Sequence, residues 1–254
     1  MLLIKWSTAR KTGSSPCDNC FFKIYILSLI TNLELAMDQN TLNAQTRQAL
    51  QDFVSALPQD AQKTVTSAFE KLMSSTVAAD AKTNGDKAPD FEMPNVRGGT
   101  LSLRDALAEG PVVLSFYRGS WCPFCNLELN ALQQQLPAIR DCGARLIAVS
   151  PEKPDASLTH ADKLNLEFDV LSDPGNRVAE TYGLVMTVYE SLRPLYLQWG
   201  IDLPAANGDD SHQLPVPATY VIDRNATIRA AYVDKDYTKR MEPEAIIEAL
   251  KSLG

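Results

Sequence analysis

"VVLSFYRGSWCPFCNLEL", residues 112–129, places a buried strand, a polar turn and a cysteine pair in one short run. Val112 to Tyr117 is an almost unbroken apolar stretch, the pattern of a strand covered on both faces. "RGS" (118–120) is a turn, and Pro123 suits the first turn of a helix, where a missing N–H does no harm. The helix predicted from Cys122 or Pro123 carries Leu127, Leu129, Leu132 and Leu136 on its apolar side. Cys122 and Cys125 then share one helix face about one turn apart, a spacing that a disulfide can bridge. Free backbone N–H groups and the helix dipole at that end lower a thiol pKa from roughly 8.5 toward neutrality. The pair therefore reads as a redox-active dithiol. Buried structural cysteines are the blander account, which the polar turn argues against, and a zinc site lacks partner ligands nearby.

Downstream, "RLIAVS" (145–150) is a second buried strand, followed by a helix around Asp155–Leu164. "FDVLSD" is a third strand, and "NRVAETYG" a short helix that Gly183 can end. "TYVIDR" and "TIRAAYV" read as an antiparallel hairpin turning at Asn225-Ala226, with Asn tolerating positive φ, and "EPEAIIEALKSL" as a final amphipathic helix. A β–α–β start and a β–β–α finish predict an α/β protein with a mixed sheet between helices. Upstream, residues 37–80 read as two helices divided by Pro58, with Leu50, Phe53, Val54 and Leu57 on one face, and "KTNGDK" (82–87) as a linker.

The predicted organisation is thus an N-terminal extension over 1–36, a helical accessory segment and linker over 37–87, and an α/β domain over 88–254. The extension reads as a dispensable upstream addition ahead of Met37, as a targeting segment, or as ordered structure. Its apolar run "FFKIYILSLI" is too short to span a bilayer and holds Lys23. Cys17 and Cys20, within it, are treated as incidental. The 254-residue chain carries a net charge of -7 with no basic stripe, which argues against nucleic acid as a partner. Five cysteines in a chain of this length do not make a disulfide scaffold and fit a reducing compartment, the cytoplasm being the expected one.

"WCPFC" resembles the active site of thioredoxin-fold proteins, and "CNLEL" (125–129) resembles the Cys-x-x-Glu-Leu of peroxiredoxins. "APDF" (88–91), "VSPEKPDASLTH" (149–160) and "LSDPGNRVAETYGL" (171–184) are similar to peroxiredoxin segments in the same order. The resemblance covers Ala88–Gly254 and points to the peroxiredoxin-like branch of the alkyl hydroperoxide reductase and thiol-specific antioxidant family. It implies a thioredoxin-like fold and thiol-dependent reduction of hydrogen peroxide and organic hydroperoxides, through a sulfenic acid and then a CxxC disulfide. Thioredoxin or a similar dithiol would recycle the pair, with no metal, no organic cofactor and no membrane involved. The alternative is a thioredoxin-like thiol–disulfide oxidoreductase with little peroxidase activity, and a third reading is a redox sensor or scaffold.

The resemblance leaves the attacking sulfur open. Laid on the peroxiredoxin motif Pro-x-x-x-Thr-x-x-Cys, Cys125 attacks, Cys122 takes the Thr place and Arg118 the Pro place; laid on thioredoxin, Cys122 attacks and Cys125 resolves. The arginine that peroxiredoxins place six residues before the Asp of a later strand is replaced here by Pro217 in "PATYVID" (217–223). "VPAT" resembles instead the thioredoxin loop, which implies a cis peptide at Val216–Pro217 facing the cysteines. Arg118 either supplies the missing positive charge or lies in solvent. Glu128 would by resemblance orient the arginine, although a solvated helix position is the favoured reading. Ser120 is expected to cap the helix, Trp121 to wall the site, and Cys142 to be a buried filler remote from the pair. His160 is expected to be structural, and His212 has no evident partner. The long segment Thr187–Pro215 has Leu192, Leu195, Tyr196 and Trp199 at helical spacing, read first as core packing. Its sharper readings are a cap over the active site or the surface of a homodimer.

Overall fold

Val112–Phe116, β3, lies at the centre of a five-stranded sheet in the computed structural model, which describes residues 41–254. The readings made for residues 1–36, Cys17 and Cys20 included, lie outside the described residues. Two parallel neighbours follow on one side, β4 (Arg145–Ser150) and β5 (Asp169–Ser172). On the other side β8 (Ala218–Ile222) runs antiparallel to β3 and pairs with β9 (Ile228–Val233), giving the order β5-β4-β3-β8-β9. Alternation along β3 divides the core into two layers. Val113 packs with Leu146, Ala148, Val170 and Val221 beneath α4 (Pro123–Asp141), where Leu129, Leu132 and Leu136 are buried. Val112, Leu114 and Phe116 point the other way, among Leu103, Ala106, Leu107, Ala179 and Tyr182. Each of those buried leucines contributes about 1.5–3 kcal/mol.

The two accessory helices, the helices that follow β4 and β5, and the final helix stand where the sequence placed them, whereas the elements between residues 88 and 111 were not foreseen. Helices α1 (Leu42–Ala56) and α2 (Gln59–Ser74) meet at Pro58, and α1 lays Ala49 and Leu50 against the α4 layer. The hairpin β1 (Glu92–Pro94) and β2 (Thr100–Ser102) precedes α3 (Leu103–Glu109). Helix α5 (Pro154–Lys163) connects β4 to β5 as α4 connects β3 to β4, α6 (Arg177–Thr181) follows β5, and α9 (Pro243–Lys251) closes the chain against α4. The β8–β9 turn takes its left-handed residue at Ala226, φ 57°, rather than at Asn225. Asn225 is instead held by its N–H, which donates to Asp223 Oδ1 at 2.9 Å.

Between α6 and β8 the chain inserts a cap. Short strands β6 (Val185–Thr187) and β7 (Gln213–Pro215) pair antiparallel at its base and carry α7 (Arg193–Gln198) and α8 (Leu203–Asn207). Val188, Tyr196, Leu203 and Leu214 form a small core of their own, with Trp121 and Trp199 packed against it. The cap therefore sits beside the cysteine loop. Among the described residues no helix is long and apolar enough to cross a membrane.

Candidate active site

The loop 118–121 leaves the end of β3 and delivers Cys122 to the N-cap of α4, with Pro123 as its first helical residue. Gly119 has φ 152°, and a Cβ there would overlap the Trp121 indole, so the tight turn needs glycine. Ser120 does not cap the helix, because Cys122 already occupies that position. Its N–H and hydroxyl each donate to Glu152 at 2.7 Å, tying the loop to the end of β4. Burial pushes the Glu152 carboxyl up, and the two Ser120 bonds oppose this.

Both thiols of the pair are fully buried. Burial alone would raise the Cys122 pKa, yet it falls to about 6, because the Cys125 thiol donates to it and the Arg118 and Arg240 charges stand nearby. Cys125 moves the opposite way, driven up by burial and then by its bond to, and repulsion from, the Cys122 thiolate. The two thiols are thus shifted in opposite directions, Cys122 down and Cys125 up.

Arg118 is buried rather than solvated, at 3% exposure. Its Nη2 donates to the Tyr196 hydroxyl at 2.6 Å, and its guanidinium lies 4.2 Å from the Tyr237 ring centre and 5.1 Å from that of Trp121. The aromatic faces replace part of the hydration that the cation loses. Arg118 Nε and Trp121 Nε1 are buried without a hydrogen-bond partner.

A second cation stands against Cys125 and escaped the sequence reading. Arg240, between β9 and α9, places Nη2 3.3 Å from Cys125 Sγ and donates from Nε to Glu128 Oε2 at 2.5 Å. Glu128 is accordingly not a solvated helix residue; it is 1% exposed and orients this arginine. Its other oxygen accepts from Thr219 Oγ1 at 3.2 Å, and Ser115 Oγ stands 3.5 Å away. Ser115 and Thr219 are cross-strand partners on β3 and β8. These two polar residues in otherwise apolar buried strands were the available signal for a buried charge above them. Nothing near Arg240 in sequence resembles a motif, since its partners lie 112 and 115 residues away.

Pro217 is buried at the entry to β8, but its peptide is trans, with no cis bond among the described residues. The trans bond keeps the chain extended from β7 into β8, and the Val216 N–H donates to Leu184 O at 2.7 Å. Cys142 is half-buried at the C-cap of the 19-residue α4, about 28 Å from the pair at 1.5 Å per residue. His160 is buried on α5, and its pKa is lowered by burial and by Lys163. The His212 carbonyl accepts from the Val188 N–H at 2.9 Å, a backbone role.

Above Cys122 opens a cavity of about 420 Å³. Cys122, Arg118 and Phe124 line one side, Tyr196, Trp199 and Ile201 of the cap a second, and Phe53 and Val65 of α1 and α2 a third. Cys125 does not line it. Of the sharper readings of segment 187–215, the geometry matches the cap. A larger space of about 830 Å³, at the far end of α4 around Cys142, contains neither thiol of the pair.

Residues 84–231 match the family model described as the AhpC/TSA family. A Mycobacterium tuberculosis (strain CDC 1551 / Oshkosh) protein named as a peroxiredoxin is 33% identical over 101 residues, 40% of this chain and 64% of that protein. The chain thus spans just under two thirds of that relative's length. The chloroplastic peroxiredoxin Q of Populus jackii is 29% identical over 175 residues, 68% of this chain and 69% of that one. The crystal structure of peroxidoxin BcpB from Mycobacterium tuberculosis superposes with a TM-score of 0.53 at 20% identity, over 68% of this chain and 98% of that chain, a likeness of fold. The sheet order and the strand–cysteine–helix unit are those of a thioredoxin-like fold, and the matched segment covers more than half of the sequence: the chain belongs to the AhpC/TSA family.

Proposed function

We propose that this protein is a thiol-dependent peroxidase in which Cys122 attacks the peroxide and Cys125 resolves. The observation that carries the reading is the asymmetry of the pair. Cys122 lines the cavity with Arg118 and is the thiol whose pKa is lowered, whereas Cys125 does not line it and is held by Arg240. Family membership supports the same chemistry.

In the first step the Cys122 thiolate attacks one oxygen of ROOH. A new S–O bond forms, the O–O bond breaks, and the departing RO⁻ takes a proton to leave as ROH. The Arg118 charge beside the cavity favours the thiolate and the developing alkoxide alike. The Cys125 sulfur then attacks the Cys122 sulfenic acid, and an S–S bond forms as water departs with the thiol proton. Arg240, 3.3 Å from Cys125 Sγ, stabilises negative charge on that sulfur as it attacks. Thioredoxin or a similar dithiol reduces the disulfide by exchange, completing the cycle. A dithiol that must be reduced on every turnover suits a reducing compartment such as the cytoplasm. The aromatic walls suit organic hydroperoxides with an apolar body, with hydrogen peroxide as a smaller substrate.

A second reading, thiol–disulfide exchange with a protein partner, draws on the same order of thiols, one facing the cavity and one behind. Stopped-flow reaction of the reduced protein with hydrogen peroxide and cumene hydroperoxide separates the two. Fast oxidation that persists in Cys125→Ser, leaving a sulfenic acid on Cys122, is the expected result. Peroxide rates no better than a free thiol, beside rapid disulfide exchange that disappears in Cys122→Ser, would establish the exchange reading instead.

A further inference from the structure

The family match ends at residue 231 and begins at 84, so it omits both Arg240 and the accessory helices. These two parts meet. The backbone of Arg240 is gripped by a single side chain, that of Asn43 near the start of α1. Asn43 Oδ1 accepts the Arg240 N–H at 3.0 Å, and Asn43 Nδ2 donates to the Arg240 carbonyl at 2.8 Å. A primary amide has one acceptor and one donor side, so it satisfies both backbone groups of one residue as a neighbouring strand would. Glu242 closes the clasp from the opposite direction. Its carboxylate accepts the N–H groups of Leu42 and Asn43 at 2.9 Å each, and Asn43 Nδ2 at 2.6 Å. Those are free donors at a positive helix end, where a carboxylate is favoured.

We propose that Asn43 is a positioning residue of the active site, holding the Arg240 backbone so that the guanidinium stands against Cys125. The rest of the arginine's environment makes that grip consequential. Arg240 Nη1 donates to the carbonyls of Tyr237 and Lys239 at 2.5 and 2.7 Å, within the segment that Asn43 pins, so guanidinium and segment move together. The segment has two further anchors, one at the C-cap of α2 and one on α2 itself: Lys235 Nζ donates to Ser75 O at 2.8 Å, and the Tyr237 and Phe69 rings meet edge-on at 6.1 Å. Loss of Asn43 therefore loosens the grip at Arg240 without freeing the whole segment. The accessory helices thus have a catalytic consequence although they hold no reacting group. The inference concerns thiol activation, and it holds whether Cys122 meets a peroxide or a disulfide.

The charged and titratable groups around the two thiols are Arg118 and Tyr117 from β3 and its loop, Glu128 from α4, Tyr196 from the cap, and Arg240 and Tyr237 from the pinned segment. Of these, Asn43 touches Arg240 alone.

The test is the pH dependence of Cys122 alkylation by iodoacetamide, followed by mass spectrometry on the full chain. It needs no peroxide, so its outcome is separate from that of the peroxidase reading. Asn43→Ala should move the midpoint up by about one pH unit, a tenfold loss of thiolate below both midpoints. In an Arg240→Met background the same substitution should add nothing to the midpoint, since its route to the thiol is gone. Leu42→Ala, which trims a buried neighbour on the same helix, should lower Tm and leave the midpoint in place. Should Asn43→Ala fold poorly, Asn43→Ser removes the same paired grip with a residue common in helix first turns. A wild-type midpoint in folded Asn43→Ala or Asn43→Ser, or a shift undiminished by Arg240→Met, would overturn the proposal.

Discussion

Glu128 and Arg240, 112 residues apart in sequence, form an ion pair in which each side chain is 2% exposed, with the guanidinium reaching past it to Cys125. Water is excluded from both charges, so neither tolerates loss of the other. Arg240→Met should cost about 3–5 kcal/mol, seen as a fall in Tm of roughly 10 °C in thermal unfolding. Glu128→Leu combined with Arg240→Met should recover most of that stability and none of the activity. A single variant as stable as wild type would show the pair to be dispensable for folding.

The Cys122 thiol, lowered from an ordinary value of 9.0 to about 6, fixes a pH window. Its folded pKa lies below the unfolded one, so its contribution to stability is present above about 9 and is lost as pH falls through about 6. Reactivity should follow the same midpoint, with alkylation at Cys122 level above pH 7 and falling below 6. Arg118→Met should move that midpoint upward, because it removes one of the two cations. An alkylation midpoint near 8.5 in wild type would mean that Cys122 is an ordinary thiol.

Val65 faces the cavity above Cys122 from α2, beside Phe53 of α1, whose ring meets Trp199 of the cap edge-on at 5.1 Å. Val65→Trp should fill part of the 420 Å³ from the α2 side. Steady-state assays should then show KM for cumene hydroperoxide rising about tenfold, the worth of a few lost apolar contacts. The hydrogen peroxide rate should stay within about twofold, since a molecule that small needs little of the wall. Equal losses on both substrates would place the organic group elsewhere.

Glu152 is 1% exposed, and burial raises its pKa against the opposing pull of the two Ser120 bonds it accepts. The sign follows from linkage: a raised folded pKa gives stability present at low pH that is lost as pH rises through the folded value. Glu152→Gln removes that penalty and still offers Ser120 one acceptor and one donor. Its Tm should exceed that of wild type at pH 7.5, and the difference should narrow toward pH 4.5. A variant uniformly less stable across that range would mean that the carboxylate itself holds the loop.

Much of the scaffold was legible because its signals are local. An apolar run, a polar turn and Pro123 place strand, loop and helix in sequence, and they bring Cys122 and Cys125 to one helix end whatever surrounds them. The order of strands and helices followed from the same short-range periodicity, as did the break at Pro58. The turn detail at Ala226 and the trans Val216–Pro217 peptide were not legible, since each depends on how neighbouring chain is pulled straight or closed.

The sequence by itself determined the dithiol and the sheet that presents it, because residues close together in the chain carry both. Tertiary structure alone decided what surrounds the two thiols. Arg240 is brought against Cys125, Glu128 is buried to receive it, and Arg118 is folded between Tyr237 and Tyr196. Cavity walls come from α1, α2 and the cap, segments that no local pattern joins to the cysteines. Charge–charge energy depends on distance in space and on excluded water, and neither is written in the spacing of residues along a chain.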